Sequence, residues 1–163
     1  MVSSSVLGYV NYGNNKSSFR LLTQMVTVVL ISELTAEILI LNIGTSIPPY
    51  HFLQPIQVIY FGLIFYHLLR LNQPGKWLLA FSTVSIVITC VFLSLFYQSI
   101  YTFPSIGLVL LSLFVVMNCL VLLVQMLNKP SMEPLWKQAN FWFAIGNLQF
   151  HTITFFSILR KYK

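Results

Sequence analysis

Acidic residues are nearly missing from this chain. Three glutamates stand among 163 residues, and charged side chains of both signs make up only 7%. Soluble domains carry about 25% charged residues, so this scarcity excludes an ordinary water-exposed surface. Long polar stretches are missing too: none exceeds about 20 residues, which is too short to fold as a separate domain. The two cysteines, Cys90 and Cys119, lie inside apolar runs and outside any CxxC pattern, where a thiol behaves as a small hydrophobe. No nucleophile elbow, P-loop or dinucleotide fingerprint occurs, and there is no internal repeat or low-complexity tract. The opening MVSSSVLGYVNYGNNKSSFR has neither a basic n-region nor a long apolar core, so it is not expected to be a signal peptide. Met1–Tyr12 is too short to span a bilayer and is expected to lie along the interface or to be the remnant of a longer upstream helix.

What the chain has instead is apolar surface: 57% of its residues are hydrophobic and the mean hydropathy is +0.81. Five apolar segments emerge, at 19–41, 51–69, 77–97, 104–127 and 139–159. Each is near the ~20 residues needed to cross a hydrocarbon core of ~30 Å. They are expected to be helices, because a lone strand in lipid leaves its backbone groups unpaired. The predicted fold is therefore all-α, a polytopic transmembrane bundle forming one integral membrane domain over residues 1–163. Its short connections are rich in breakers: NIGTSIPPY, RLNQPGK, QSIYTFP and NKPSMEPLWK. Pro104 is expected in the first turn of the fourth helix, where its missing N–H costs nothing. Pro55, a turn inside the second, predicts a kink or a later start.

The net charge of +6 comes from basic residues scattered in ones and twos at the ends of apolar runs. That pattern fits interface anchoring and topology signals, not a phosphate-binding stripe, so no nucleic-acid partner is expected. Lys16 and Arg20 precede the first helix, Arg70 and Lys76 flank the second loop, and Lys129 and Lys137 flank the fourth. The first and third loops have no Lys or Arg. The positive-inside rule then puts the N-terminus, second loop and fourth loop in the cytoplasm of a multi-pass protein, with the bacterial inner membrane as the expected location. Five crossings leave Arg160, Lys161 and Lys163 on the wrong side, which points to a fifth segment that does not cross simply, a missing sixth helix, or a short tail that departs from the rule.

Two of the three glutamates lie in LISELTAEILIL, residues 30–41. At 1.5 Å per residue, Glu33 is about 18 Å and Glu37 about 24 Å from the start of the apolar run at Leu21. Residues four apart share a helix face. Two carboxylates in a low-dielectric medium cannot both ionise cheaply, so the deeper Glu33 is expected to be protonated and to donate a hydrogen bond to the second or fifth helix. Glu37 is expected to meet His51 near the outer face, since a short loop joins their helices. Gln54 and Gln57 enter on the second helix from the same side, and the fifth brings Asn147, Gln149, His151, Thr152 and Thr154 to comparable depth. Glu33, Glu37, His51, Gln54, Gln57, Asn147 and His151 are thus candidates for a ligand or proton site in a polar cavity. An ionisable residue inside a span is a functional candidate by default; the bland alternative is a glutamate that merely hydrogen-bonds a neighbouring helix.

Glu37, His51 and His151 are suitable metal-ligand types, but no HExxH or HxxxH spacing supports a site, so no metal or cofactor is expected. His67, beside Arg70, fits a snorkelling role. Serines and threonines in the third and fourth helices are expected to bond their own backbone or a neighbouring helix. The aromatics of the second helix (Tyr60, Phe61, Phe65, Tyr66) and fifth helix (Phe141, Trp142, Phe143, Phe150, Phe155, Phe156) read as packing or interface anchors, with a ligand cage as the sharper alternative.

At ELTAE, YHFLQPIQVIYFGLIFY and NFWFAIGNLQFHTITFF the chain resembles a large group of multi-spanning membrane proteins common in Bacteroidota. Their pattern places a Glu in an early helix, YH…PIE at the start of the next and FW..IG.L in a late one. Glu33, His51, Pro55, Trp142 and Gly146 match by position, while Gln57 stands where the pattern has Glu. The resemblance runs from about Val10 onward. It implies six or seven helices, so that this chain is expected to be a shortened member, and it implies no activity. The leading functional expectation is a non-enzymatic receptor-like sensing module, or a small subunit of a membrane complex, with the lipid bilayer and a membrane-protein partner or second copy as its surroundings. The alternatives are a small transporter or proton pathway through Glu33 and Glu37, and an intramembrane hydrolase with a carboxylate–histidine centre.

Overall fold

The computed structural model describes residues 17–97, 99, 102–128 and 134–161. Among them are five long helices and no strand: α1 (Ser17–Ile43), α2 (Pro48–Leu68), α3 (Gln73–Phe92), α4 (Ser105–Asn128) and α5 (Ala139–Lys161). The expectations for Met1–Tyr12, Lys16, Lys129 and Lys163 fall outside the described residues.

Local chemistry sets the helix ends. α1 stops where Gly44 adopts φ +79°, a left-handed conformation that suits glycine, and its N–H returns to the Ile40 carbonyl at 3.0 Å. α2 opens on Pro48 and Pro49, where a helix has no use for the missing N–H, so it begins earlier than the apolar run indicates; it continues through Pro55. Asn72 caps α3, its Oδ1 accepting from the Gly75 N–H at 3.0 Å. α3 then widens into a π-type segment, Leu93–Tyr97. Pro104 stands just ahead of α4 and not in its first turn, with its carbonyl accepting from the Leu108 N–H at 3.2 Å.

Short connections make consecutive helices run antiparallel, and cross-helix bonds fix which ends meet. At one end the Arg70 N–H, just past α2, donates to Gln125 Oε1 near the end of α4 at 2.9 Å. At the other, His51 in the first turn of α2 meets Ser94 in the π segment after α3. Arg20, Arg70, Lys76 and Lys137 therefore gather at the first end, while Arg160, near the end of α5, lies towards the second. The core sits in the half nearer the basic end, where Phe61 and Phe65 of α2 and Leu69 just past it cluster with Val115, Cys119 and Leu122 of α4, with Leu79 and Ala144 at the flanks. Phe65 is its centre, meeting Phe114 and Phe143 edge-on at 6.4 and 6.0 Å. These aromatics are packing residues.

α1 packs on α2, α2 on α3 and α5 on α4, whereas α1 and α5 do not pack extensively on each other. That leaves a cleft between α1 and α5, floored by α2 and α4. Three helices are long and apolar enough to cross a membrane: Arg20–Ile43, Gln73–Tyr97 and Ser105–Asn128. α2 and α5 have 21 and 23 residues, about 32 and 35 Å, so length is not what sets them apart. Their hydropathy is lowered by His51, Gln54 and Gln57 in the one and Asn147, Gln149 and His151 in the other. Five apolar segments thus become five helices, but only three are apolar enough by themselves. Large hydrophobic side chains are exposed on all five helices, among them Ile38, Phe52, Phe81, Met117 and Phe156, a surface that lipid can solvate and water cannot.

Candidate functional site

The cleft holds a cavity of about 470 Å³. Glu33 lines it from α1, with Met25, Val26 and Val29 below; α2 contributes Tyr50, Gln54, Gln57 and Phe61. Leu108 and Leu111 come from α4, Phe103 from the segment before it, and Asn147, Phe150, His151 and Thr154 from α5. Five of the seven candidate residues read from the sequence, Glu33, Gln54, Gln57, Asn147 and His151, therefore share one cavity. Glu37 and His51 do not line it.

The α2 residues follow from helical spacing. His51, Gln54, Gln57 and Phe61 recur three or four residues apart, so they form one stripe turned away from lipid. The first two bond the surrounding scaffold, His51 through both nitrogens and Gln54 through its Nε2. The Thr102 carbonyl can only accept, so His51 Nε2 carries the proton and donates to it at 2.8 Å; Nδ1 lies 3.1 Å from Ser94 Oγ, which donates to the unprotonated nitrogen. His51 is buried and ties the start of α2 to both sides of the α3–α4 connection. Gln54, also buried, donates through Nε2 to the Pro104 carbonyl at 2.7 Å. Its Oε1 rests against Gly107 of α4, where any Cβ would overlap it.

Gln57 is different: its amide has no hydrogen-bonding partner among the described residues, although it faces the cavity. His151 is buried, with Nδ1 3.4 Å from Ser112 Oγ and its ring held edge-on between Phe61 and Phe150 at 5.4 and 5.1 Å. Its Nε2 has no partner among the described residues. Asn147 and Thr154 donate to the Phe143 and Phe150 carbonyls of their own helix, which leaves their oxygens able to accept from a guest. Thr27, Thr83, Thr89 and Asn118 bond their own helix in the same way and serve the backbone.

The carboxylates depart from the expectation. Glu37 is exposed and has no hydrogen bond among the described residues, so it does not pair with His51, whose two nitrogens are taken elsewhere. Glu33, expected to be the deeper of the two, is exposed as well and accepts instead of donating: the Tyr50 hydroxyl donates to its Oε2 at 3.1 Å. Glu33 lies ten residues, about 15 Å, before the end of α1, yet it meets the third residue of α2. The end of α1 therefore projects past the start of α2, which leaves Ile38, Leu41 and Ile43 exposed. Sequence spacing had set His51 opposite Glu37 because it assumed that both helices end level.

Tyr50 and Phe103 went unnoticed in the sequence. Their rings stand 6.5 Å apart and tilted at 51° beside Glu33. The signal for Tyr50 is its place one residue before His51, where an aromatic hydroxyl enters the first turn of α2. Among the described residues no three of His, Cys, Asp and Glu come together, and neither glutamate hydrogen-bonds a histidine. The chain matches no family model, no curated protein and no solved structure.

Proposed function

We propose that the chain is a five-span bundle of a cell membrane with its N-terminus in the cytoplasm, and that it works by binding and not by catalysis. It is a receptor-like sensing module, or a small subunit of a membrane complex, whose signal is occupancy of the cavity between α1 and α5. The observation that carries this reading is the division of labour along one stripe of α2. Both His51 nitrogens and Gln54 Nε2 bond the scaffold, while the Gln57 amide has no hydrogen-bonding partner among the described residues and stands beside an apolar wall. A cavity of this size with a few unpaired polar groups in a mostly apolar lining suits small-molecule recognition. A hydrolase reading finds less support, since it requires a carboxylate aligned on a histidine.

The sidedness rests on the gathering of Arg20, Arg70, Lys76 and Lys137 at one end, which the positive-inside rule assigns to the cytoplasm. The cavity residues Glu33 and Tyr50 then lie in the outer half. The test uses Gln57→Cys in a chain whose buried Cys90 and Cys119 are replaced by alanine. A membrane-impermeant maleimide added to intact cells is expected to label the thiol introduced at position 57, and labelling only from the cytoplasmic face of inverted vesicles overturns the orientation. Purified protein in proteoliposomes is expected to carry no proton flux. A wild-type flux that Glu33→Gln abolishes replaces the binding reading with the proton-pathway one.

A further inference from the structure

We infer that the cavity takes an organic cation, an ammonium head carried on an apolar body. This rests on the binding reading above and names its ligand class. Among the described residues Glu33 is the only carboxylate that lines the cavity, and no lysine or arginine lines it. Nor does any ion pair to Glu33 occur among them; its one bond there comes from the neutral hydroxyl of Tyr50. Among the described residues, the Arg20, Arg70, Lys76 and Lys137 side chains lie towards the basic end of the bundle and Arg160 near the end of α5. The carboxylate thus meets a cavity with no fixed positive charge.

Beside it, Tyr50 and Phe103 present two rings, 6.5 Å apart and tilted at 51°. Carboxylate plus tilted aromatic faces is the arrangement that attracts an ammonium: the anion supplies the charge and the ring quadrupoles supply faces that need no desolvation. Glu33 is exposed at the mouth of the cavity, so an anionic guest would be repelled there and a neutral one would make no use of its charge. Below the head site the walls are apolar, with Val29, Phe61 and Phe150 accommodating a hydrocarbon or aromatic body. Gln57 stands deeper, two turns along α2 from Tyr50, and can bond a polar group at the far end of such a guest.

An ammonium can reach this site on a free amine or on the ethanolamine headgroup of a lipid. Val26→Cys, on the apolar wall of the cavity, in a chain whose Cys90 and Cys119 are replaced by alanine, is reconstituted in nanodiscs of phosphatidylglycerol alone, and the rate of maleimide labelling is measured with phenethylamine or with uncharged 2-phenylethanol. Phenethylamine is expected to slow labelling at least fivefold and the alcohol not to; Glu33→Gln is expected to weaken the amine's apparent affinity at least tenfold. Phe103→Leu, which keeps the carboxylate and removes a ring, is expected to weaken it severalfold and covers the case in which Glu33→Gln does not fold. Slow labelling in phosphatidylethanolamine nanodiscs without added amine identifies the lipid as the source, and slow labelling only with amine identifies the free compound. Equal protection by amine and alcohol, full protection in the Glu33→Gln variant, or no protection from either source overturns the inference. An introduced thiol that never labels, with or without guest, instead overturns the accessible cavity on which it rests.

Discussion

His51 and Glu37 began as an expected pair and end with opposite weight. His51 is buried with both nitrogens engaged, so His51→Ala strands the Thr102 carbonyl and Ser94, and a loss of about 2–3 kcal/mol in detergent unfolding is expected. Glu37→Ala removes an exposed side chain without a hydrogen-bonding partner among the described residues and should stay within about 0.5 kcal/mol of wild type. Equal losses would show that His51 is not the staple the geometry makes it. The Tyr50–Glu33 bond is testable by a double-mutant cycle: Tyr50→Phe and Glu33→Ala should couple by about 0.5–1.5 kcal/mol, and additive effects would remove the bond from the fold. The residue types of the cavity were legible because polar side chains inside apolar runs are few. Their partners were not, because His51, Gln54 and Tyr50 bond a loop carbonyl, a residue before α4 and a glutamate on another helix, none of which a single helix's spacing encodes.

The helices themselves were more legible, since apolar run length fixes their number and rough bounds. Their ends moved where capping chemistry took over from hydropathy, as at Pro48 and Asn72. What hydropathy could not rank was which helices are apolar all round. α2 and α5 give their polar stripes to the cavity and so read as weaker spans than α4, although they close the same bundle. Helix contacts make two glycines informative. Gly107→Ala drives a Cβ into Gln54 Oε1 and should cost about 1–3 kcal/mol through overpacking. Gly146, with nothing within 4 Å of a built Cβ, should accept alanine and gain up to about 1 kcal/mol from helix propensity. Thermal unfolding of the two variants in one detergent decides the matter: the same sign for both would refute this packing at α2–α4.

At the scale of the whole molecule, alternation of the helices puts residue 42 and residue 128 at opposite ends. Asn42→Cys is expected to react with an impermeant maleimide in intact cells, and Asn128→Cys only after the cytoplasmic face is opened. Reaction of both from one side would refute the up-and-down arrangement. The chain is a bundle whose tight core lies towards one end and whose cavity lies towards the other, an asymmetry invisible in the composition because both halves are rich in apolar residues.

The edge position of α1 has a consequence for how the molecule is made. Domains emerge from the ribosome N-terminus first, so α1 meets α2 while the opposite wall of the cavity does not yet exist. Glu33 and Gln57 then face the membrane interior on a hairpin that has nothing to enclose. Only when α5 docks on α4 does a compartment form between α1 and α5. On the binding reading proposed above, competence to bind therefore waits for α5. A guest present at that moment holds together two helices that scarcely touch, and so favours the finished fold by mass action in its biogenesis.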